Sequence, residues 1–365
     1  MKPDWKAILR FYAGPAALER VRDAGLGPED LGVVAGPATG PRWIVLAGID
    51  RALADSRWLD RGRDLWLWGA SAAAWRFAAM AQKDPSSAIR AFHESYAGMS
   101  FERPIDRAGV RRVIEQALGA FMPRSAEERE ALARGDGNLR LAVVTVRQHP
   151  WVEGMERTVY LSSLLLNLIH PSAGEWPVER VVFHSSAGLP PQLRERNFPG
   201  RAVALTGANI ERALLASGSV PFRVLPVTAI QGAPRGLYQD GGLLDYHINA
   251  CLYPAGDDRL TLLVIHPGRL RARWMDRFAP WRRLTGPLLD RLIIVQPSGE
   301  LLDLLPGRRL PSRNDWETME DQDERASMWR TALETCLPLG EVFMEAVESG
   351  SVRARVRPLS ENPFL

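Results

Sequence analysis

Short apolar runs alternate with longer amphipathic stretches along most of this chain. Leu31-Gly32-Val33-Val34-Ala35 is continuous, apolar and too short for a helix, so it predicts a buried strand. Gly36-Pro37-Ala38-Thr39-Gly40 breaks it. From Pro41 the apolar positions Trp43, Leu46, Ile49 and Leu53 fall at helical spacing. Pro41 suits a first helical turn, where its missing N–H is no loss. The succession then repeats. Residues 64–68 predict a strand, Gly69-Ala70-Ser71 a tight turn, and 72–82 an alanine-rich helix. Two consecutive strand–turn–helix units predict a parallel sheet with helices on its faces.

Further along, 16–24 reads as a short helix and 85–135 as mostly helical. Strands are predicted at 139–146, 180–184, 235–239, 259–265 and 291–295, and helices at 161–170 and 209–216. One long helix is expected over 324–348, then a polar tail over 352–365. The expected organisation is an N-terminal helical segment (1–30), an α/β core (31–300) and a helical C-terminal extension with its tail (301–365).

Composition narrows the function classes. The 365 residues are 46% hydrophobic and 24% charged, as in ordinary globular domains. Forty-six basic against 43 acidic residues leave a net charge of +3, which gives no reason to expect a nucleic-acid partner. The two cysteines, Cys251 and Cys336, form no CxxC or Cys/His cluster and read as buried or incidental. No metal site, disulfide framework or cofactor is expected, and two lone cysteines suit a reducing compartment. Charges interrupt the first ten residues, so no signal-peptide apolar core is read there. No run reaches the roughly 18–20 apolar residues of a spanning helix. The expected location is cytoplasmic, with peripheral contact to a membrane left open. The 12 tryptophans read as core and rim aromatics.

Three short motifs carry candidate chemistry. Gly69-Ala70-Ser71-Ala72-Ala73 fits four of the five positions of G-x-S-x-G, the sharp strand-to-helix turn that exposes a nucleophilic serine. The same Ser71 also reads as an N-cap of the alanine-rich helix. Asp240-Gly241-Gly242 follows a predicted strand, either to aim a carboxylate into a cleft or to make a hairpin turn. The loop holding Gly36, Ala38 and Gly40 lies between strand and helix, where backbone N–H groups face an anion. It matches neither a Walker loop nor G-x-G-x-x-G.

In that order, the three motifs resemble those of the patatin-like phospholipases. Ala213-Leu214-Leu215-Ala216-Ser217-Gly218-Ser219-Val220-Pro221 adds to the likeness, being similar to the family's Ala-Ser-x-x-Ile-Pro segment ahead of the Asp-Gly-Gly. The resemblance covers roughly residues 31–250. It implies a three-layer α/β/α sandwich with a mainly parallel central sheet. It further implies a lipid acyl hydrolase of phospholipase A or lysophospholipase type working through a Ser71–Asp240 dyad and an acyl-enzyme, without metal or cofactor. Two departures stand out. The family's Gly-Gly-Gly-x-Arg/Lys-Gly reads Ala35-Gly36-Pro37-Ala38-Thr39-Gly40 here, so Pro37 offers no N–H and Thr39 replaces a basic residue. The elbow ends in Ala73 rather than glycine. Gly36 and Ala38 are the expected remaining donors, and Arg42, one helical turn on, the expected substitute charge.

Other readings stay open. A Ser-His-Asp triad would pair Ser71 with a late histidine such as His247 or His266. A fold relative with an impaired oxyanion loop would act in binding or scaffolding. His247 reads as structural, and Asp240 is preferred over Asp245 as the base. In 269–284, Leu270, Trp274, Phe278 and Trp281 recur at helical spacing among Arg269, Arg271, Arg273, Arg277, Arg282 and Arg283. This segment is read as a basic surface helix packed on the core, despite Pro280, with docking on anionic lipid as the alternative.

Overall fold

The computed structural model describes residues 3–152, 154–170, 173, 177–194, 200–247, 258–284 and 287–365. Cys251 lies outside the described residues. The two apolar runs that open the core are β2 (Leu31–Gly36) and β3 (Leu65–Ala70), buried along their whole length. Their side chains alternate between two cores. Val34, Leu65 and Leu67 join the larger one, and Val33, Ala35, Trp66 and Trp68 the smaller one on the opposite face. A strand buried on both faces has no polar period, which is why these runs read as unbroken apolar stretches.

The sheet has ten strands. Besides β2 and β3 they are β1 (Leu9–Ala13), β4 (Leu139–Gln148), β5 (Val178–His184), β6 (Arg201–Ala204), β7 (Leu237–Asp240), β8 (Leu260–Val264), β9 (Leu292–Pro297) and β10 (Val356–Pro358). Their order is β10-β1-β9-β8-β2-β3-β4-β5-β6, with β7 paired to β4 off this path. The run β9-β8-β2-β3-β4 is parallel throughout. Antiparallel pairs occur at β1/β9, β4/β5 and β4/β7. Helices cover both faces, so the layers are those of the α/β/α sandwich expected. The larger core lies under long helices such as Ala47–Ser56, Ala72–Met80 and Pro85–Ala97. The smaller one lies against shorter turns around Pro191–Arg194, Pro287–Arg291 and Leu359–Glu361.

Four expectations need correction. The first 30 residues are not only helical, because β1 lies within them and enters the sheet. The 352–365 stretch is not merely a tail, since β10 pairs in parallel with β1. The single helix over 324–348 is two, Gln322–Thr335 and Pro338–Glu348. Pro338 has no N–H to continue the first and is well placed to start the second. Finally, 269–284 forms no long helix but one short turn, Trp274–Phe278, and Pro280 ends the regular chain there.

Candidate active site

Ser71 sits where β3 passes into the helix Ala72–Met80, at φ 58° and ψ −132°. A positive φ costs a non-glycine residue free energy and persists where the surroundings enforce it. Ser71 does hold the N-cap position, but its side chain makes no capping hydrogen bond to that helix. The turn is held from outside instead. The Ser71 N–H donates to the Ser217 hydroxyl at 2.8 Å, and that hydroxyl donates to the Val144 carbonyl at 2.7 Å. Gly69 is needed because a Cβ there would lie 2.9 Å from the Ala73 carbonyl carbon and the Ala74 nitrogen.

Strand register brings Asp240 to the same level. Ala70 pairs with Val144 on β4, and the next residue, Thr145, pairs with Asp240 on β7. Ser71 and Asp240 thus flank one rung of β4. Asp240 is buried, and burial raises its pKa above the ordinary carboxylate value. The Gly242 N–H, donating at 2.8 Å, the Ser71 hydroxyl and the Arg313 charge oppose that rise without cancelling it. The Asp240 N–H donates to the Ser219 carbonyl at 3.0 Å. The two serines of the 213–221 segment therefore each hold one member of the pair in place.

The glycines after Asp240 are required by close approaches. A Cβ on Gly241 would lie 2.4 Å from the Val144 carbonyl oxygen, and one on Gly242 would lie 2.5 Å from the Ala38 Cβ. Asp240-Gly241-Gly242 is therefore no hairpin. It is a short helical turn, Gly241–Leu243, that lays Asp240 and its glycines against the loop after β2.

That loop departs from expectation. The Ala38 N–H does not face the cleft as a free donor, for it donates to the Tyr246 carbonyl at 2.7 Å. The Thr39 N–H donates to the Pro37 carbonyl at 3.0 Å, and Pro37 has no N–H. Residues 37–39 thus offer no spare amide in this conformation. Gly36 ends β2 opposite Gly69, and Gly40 takes φ 55°.

Arg42 does not supply the local charge. Its field acts on His247, His266 and Arg271, and it is not among the residues lining the cleft that holds Ser71. Arg313 takes that place from the C-terminal extension. It lines the cleft, and its side chain lies 3.4 Å from where a Gly40 Cβ would stand. No ion pair to Arg313 is found among the described residues. Sequence reasoning missed Arg313 because no motif surrounds it and only tertiary folding brings it to the site.

The cleft has a volume of about 1050 Å³. Ser71 and Asp240 lie at its base, with Trp75, Tyr96, Met99 and Phe101 among its apolar walls. Six arginines line it (Arg103, Arg107, Arg157, Arg223, Arg277 and Arg313) against the acidic Asp106, Asp240 and Glu317. Burial, with the Asp240 charge as a smaller contribution, keeps the Tyr96 phenol protonated well beyond its ordinary range.

The other candidates lie elsewhere. No histidine lines the cleft among the described residues. His247 is buried, accepts the Arg271 N–H at 2.7 Å on Nδ1 and lies tilted against the Tyr246 ring. Burial holds its pKa well below the usual imidazole value. Burial likewise takes His266 down to about 4. Asp245 is tied up in a buried ion pair with Arg180 at 2.5 Å. Cys336 is buried and free, and burial pushes its thiol up to about 12. Behind the elbow, Arg76 clamps Asp50 with Nε–Oδ2 at 2.7 Å and Nη2–Oδ1 at 2.5 Å. Burial disfavours the Asp50 charge, but Arg76 and His93 outweigh it and keep the pKa low. This pair locks the helix after Ser71 to Ala47–Ser56, and its sequence signal was an arginine alone in an alanine-rich buried helix.

No family model matches the chain, and no curated protein matches it. Among solved structures, VipD from Legionella pneumophila is similar at 12% identity and TM-score 0.36, over 92% of this chain and 70% of that one. Human GIVD cytosolic phospholipase A2, in complex with methyl γ-linolenyl fluorophosphonate, is similar at 14% identity and TM-score 0.40, over 92% of this chain and 62% of that one. The type III effector protein ExoU follows at 12% identity and TM-score 0.26, over 90% and 62%. This chain thus spans less than two thirds of the human enzyme. Likeness at this level carries no statement about activity, so the functional reading rests on the site itself.

Proposed function

We propose that this chain is a serine acyl hydrolase that cleaves lipid carboxylic esters, of phospholipase A or lysophospholipase type, with Ser71 as nucleophile and Asp240 as its base. The observation that carries this reading is the strained, uncapped Ser71, which strand register and a shared cleft set beside the buried Asp240 carboxylate, whose pKa burial raises. A serine hydroxyl is a poor nucleophile until a base stands beside it. A raised pKa makes the ionised Asp240 a stronger base than an ordinary carboxylate.

In the first half-reaction the Ser71 Oγ forms a bond to the ester carbonyl carbon and its proton passes to Asp240. Collapse of the tetrahedral intermediate breaks the bond to the leaving alkoxide, which takes that proton from Asp240. Water then attacks the acyl-enzyme and gives its proton to Asp240; collapse breaks the Ser71 Oγ–acyl bond, the Oγ takes that proton back, and the carboxylic acid leaves. The developing oxyanion needs donors, and residues 37–39 have none spare. We assign that charge stabilisation in part to Arg313, whose charge acts on Asp240 and whose side chain lies against Gly40. The size of the cleft and its apolar walls suit a long acyl chain, and its arginines suit an anionic head group.

The test is labelling with a fluorophosphonate probe, which needs an activated serine but no particular substrate. Labelling of the parent, lost in Ser71→Ala and in Asp240→Ala, is the expected result. A folded parent that refuses the probe overturns the reading. The occupied Ala38 amide would then favour the second reading, a binding or scaffolding protein on the same fold.

A further inference from the structure

Helix Glu156–Ile169 turns an apolar stripe to solvent. Leu161, Leu165 and Ile169 are spaced four residues apart and exposed, Ile169 at 80%. Arg157 precedes them on the same stripe and is exposed as well. A surface helix of a globular protein normally shows charge on that side.

The stripe is part of a larger face. Eight large hydrophobic residues are exposed among the described residues, and all eight fall in three segments: this helix with Met155 before it, Phe222 with Leu225, and Phe278 with Trp281. The three segments pack on one another. The Tyr160 and Phe222 rings meet edge-on with centroids 4.9 Å apart. At the other end of the helix, Arg282 donates to the Asn167 and Leu168 carbonyls and pairs with Asp276 in the Trp274–Phe278 turn. The face is continuous with the cleft, because Leu161, Phe222 and Phe278 also line the space that holds Ser71.

Arginines dominate its charge, although Arg223 is paired with Glu317. Arg157, Arg223, Arg277 and Arg283 are exposed within or beside the three segments. Arg277 lies over both Trp274 and Phe278, 5.0 and 5.1 Å from their centroids, with its cation carried on apolar rings. A water-facing surface gains nothing from eight exposed hydrophobes gathered in three segments, three of them at the cleft. A bilayer with anionic head groups gives the apolar side chains an acyl layer and the arginines a counter-charge.

We infer that this face docks the protein on an anionic lipid bilayer, with helix Glu156–Ile169 lying in the interface and the mouth of the cleft opening into the membrane. A substrate lipid then enters along Leu161, Phe222 and Phe278 without crossing water. Docking goes beyond the hydrolase reading, which supplies only the reason for a lipid to enter.

The experiment is co-sedimentation of the full chain with vesicles of phosphatidylcholine, with and without phosphatidylserine. The parent, Ser71→Ala and a Leu165→Glu/Ile169→Glu double variant are compared. Neither Leu165 nor Ile169 lines the cleft. The expected result is binding of the parent and of Ser71→Ala to the anionic vesicles, and at least about a tenfold weaker partition of the double variant. Cleavage of a soluble short-chain ester by the double variant should equal the parent's, which shows that it folds. Equal binding of parent and double variant overturns the inference, as does a parent that binds neither vesicle. So does a parent dimer that the double variant dissociates, since a second copy then covers the face. If no ester is cleaved but vesicle binding still depends on Leu165 and Ile169, the hydrolase reading fails and the docking stands.

Discussion

Gly36 and Ala73 face each other so closely that a Cβ on Gly36 would stand 2.5 Å from the Ala73 methyl. The elbow's alanine is accommodated because its neighbour strand ends in glycine. Gly36→Ala should therefore destabilise the fold by about 1–3 kcal/mol through overpacking, read as a lower Tm. An unchanged Tm would mean that the β2 end moves freely and that Ala73 is a costless replacement.

Ser217 links the elbow to β4, as acceptor for the Ser71 N–H and donor to Val144. Ser217→Ala leaves a buried N–H and a buried carbonyl without that partner. Such loss costs about 1–3 kcal/mol, and the elbow loses its external hold. Slower fluorophosphonate labelling, together with a reduced Tm, is the expected outcome. A loss of Tm with full labelling rate would show that Ser71 keeps its geometry unaided.

The base must be ionised to accept a proton, and burial raises the Asp240 pKa. The acid limb of kcat/KM should therefore lie above the ordinary carboxylate range, activity falling as pH drops through it. Arg313 favours the charged form of Asp240, so Arg313→Ala should move that limb to still higher pH, and Arg313→Lys should move it less. Arg313→Ala should also lower kcat, by up to about 10²–10³ if the guanidinium is a main oxyanion partner. A pH profile and kcat identical to the parent's would remove Arg313 from the mechanism.

A dyad needs no imidazole. Substituting His247 or His266 by Gln, one at a time, should leave labelling of the folded protein within a small factor of the parent. Loss of a triad histidine costs on the order of 10⁴ or more in rate. A fall of that size at either position would restore the triad reading.

Much of the site was legible in the sequence because its parts are local. An apolar run, a tight turn and an alanine-rich stretch are short-range signals, and each produced the expected strand, elbow and helix around Ser71. The Asp-Gly-Gly was visible for the same reason. The hydrogen bond that occupies Ala38, by contrast, comes from Tyr246, more than 200 residues away in sequence. Arg313 was hidden likewise, since a lone arginine in an irregular stretch carries no period or spacing. Arg42 was the nearest charge along the chain, but its helix carries it toward His247 and His266. The mixed pattern of β1, Leu9-Arg10-Phe11-Tyr12-Ala13, gave no clean strand signal, and its place in the sheet depends on partners far away.

Those partners set an order of events at the ribosome. β1 is made well before its partners, since among the described residues it pairs with Leu292–Pro297 and Val356–Pro358 alone. Contacts this distant close late, so the sheet stays open on that side until most of the chain has emerged. Arg313 joins the cleft in the same late phase. A nascent chain that already carries Ser71 and Asp240 thus lacks both its finished sheet and Arg313. The order of synthesis itself would hold the proposed Ser71–Asp240 centre incomplete until Arg313 and β10 have been made.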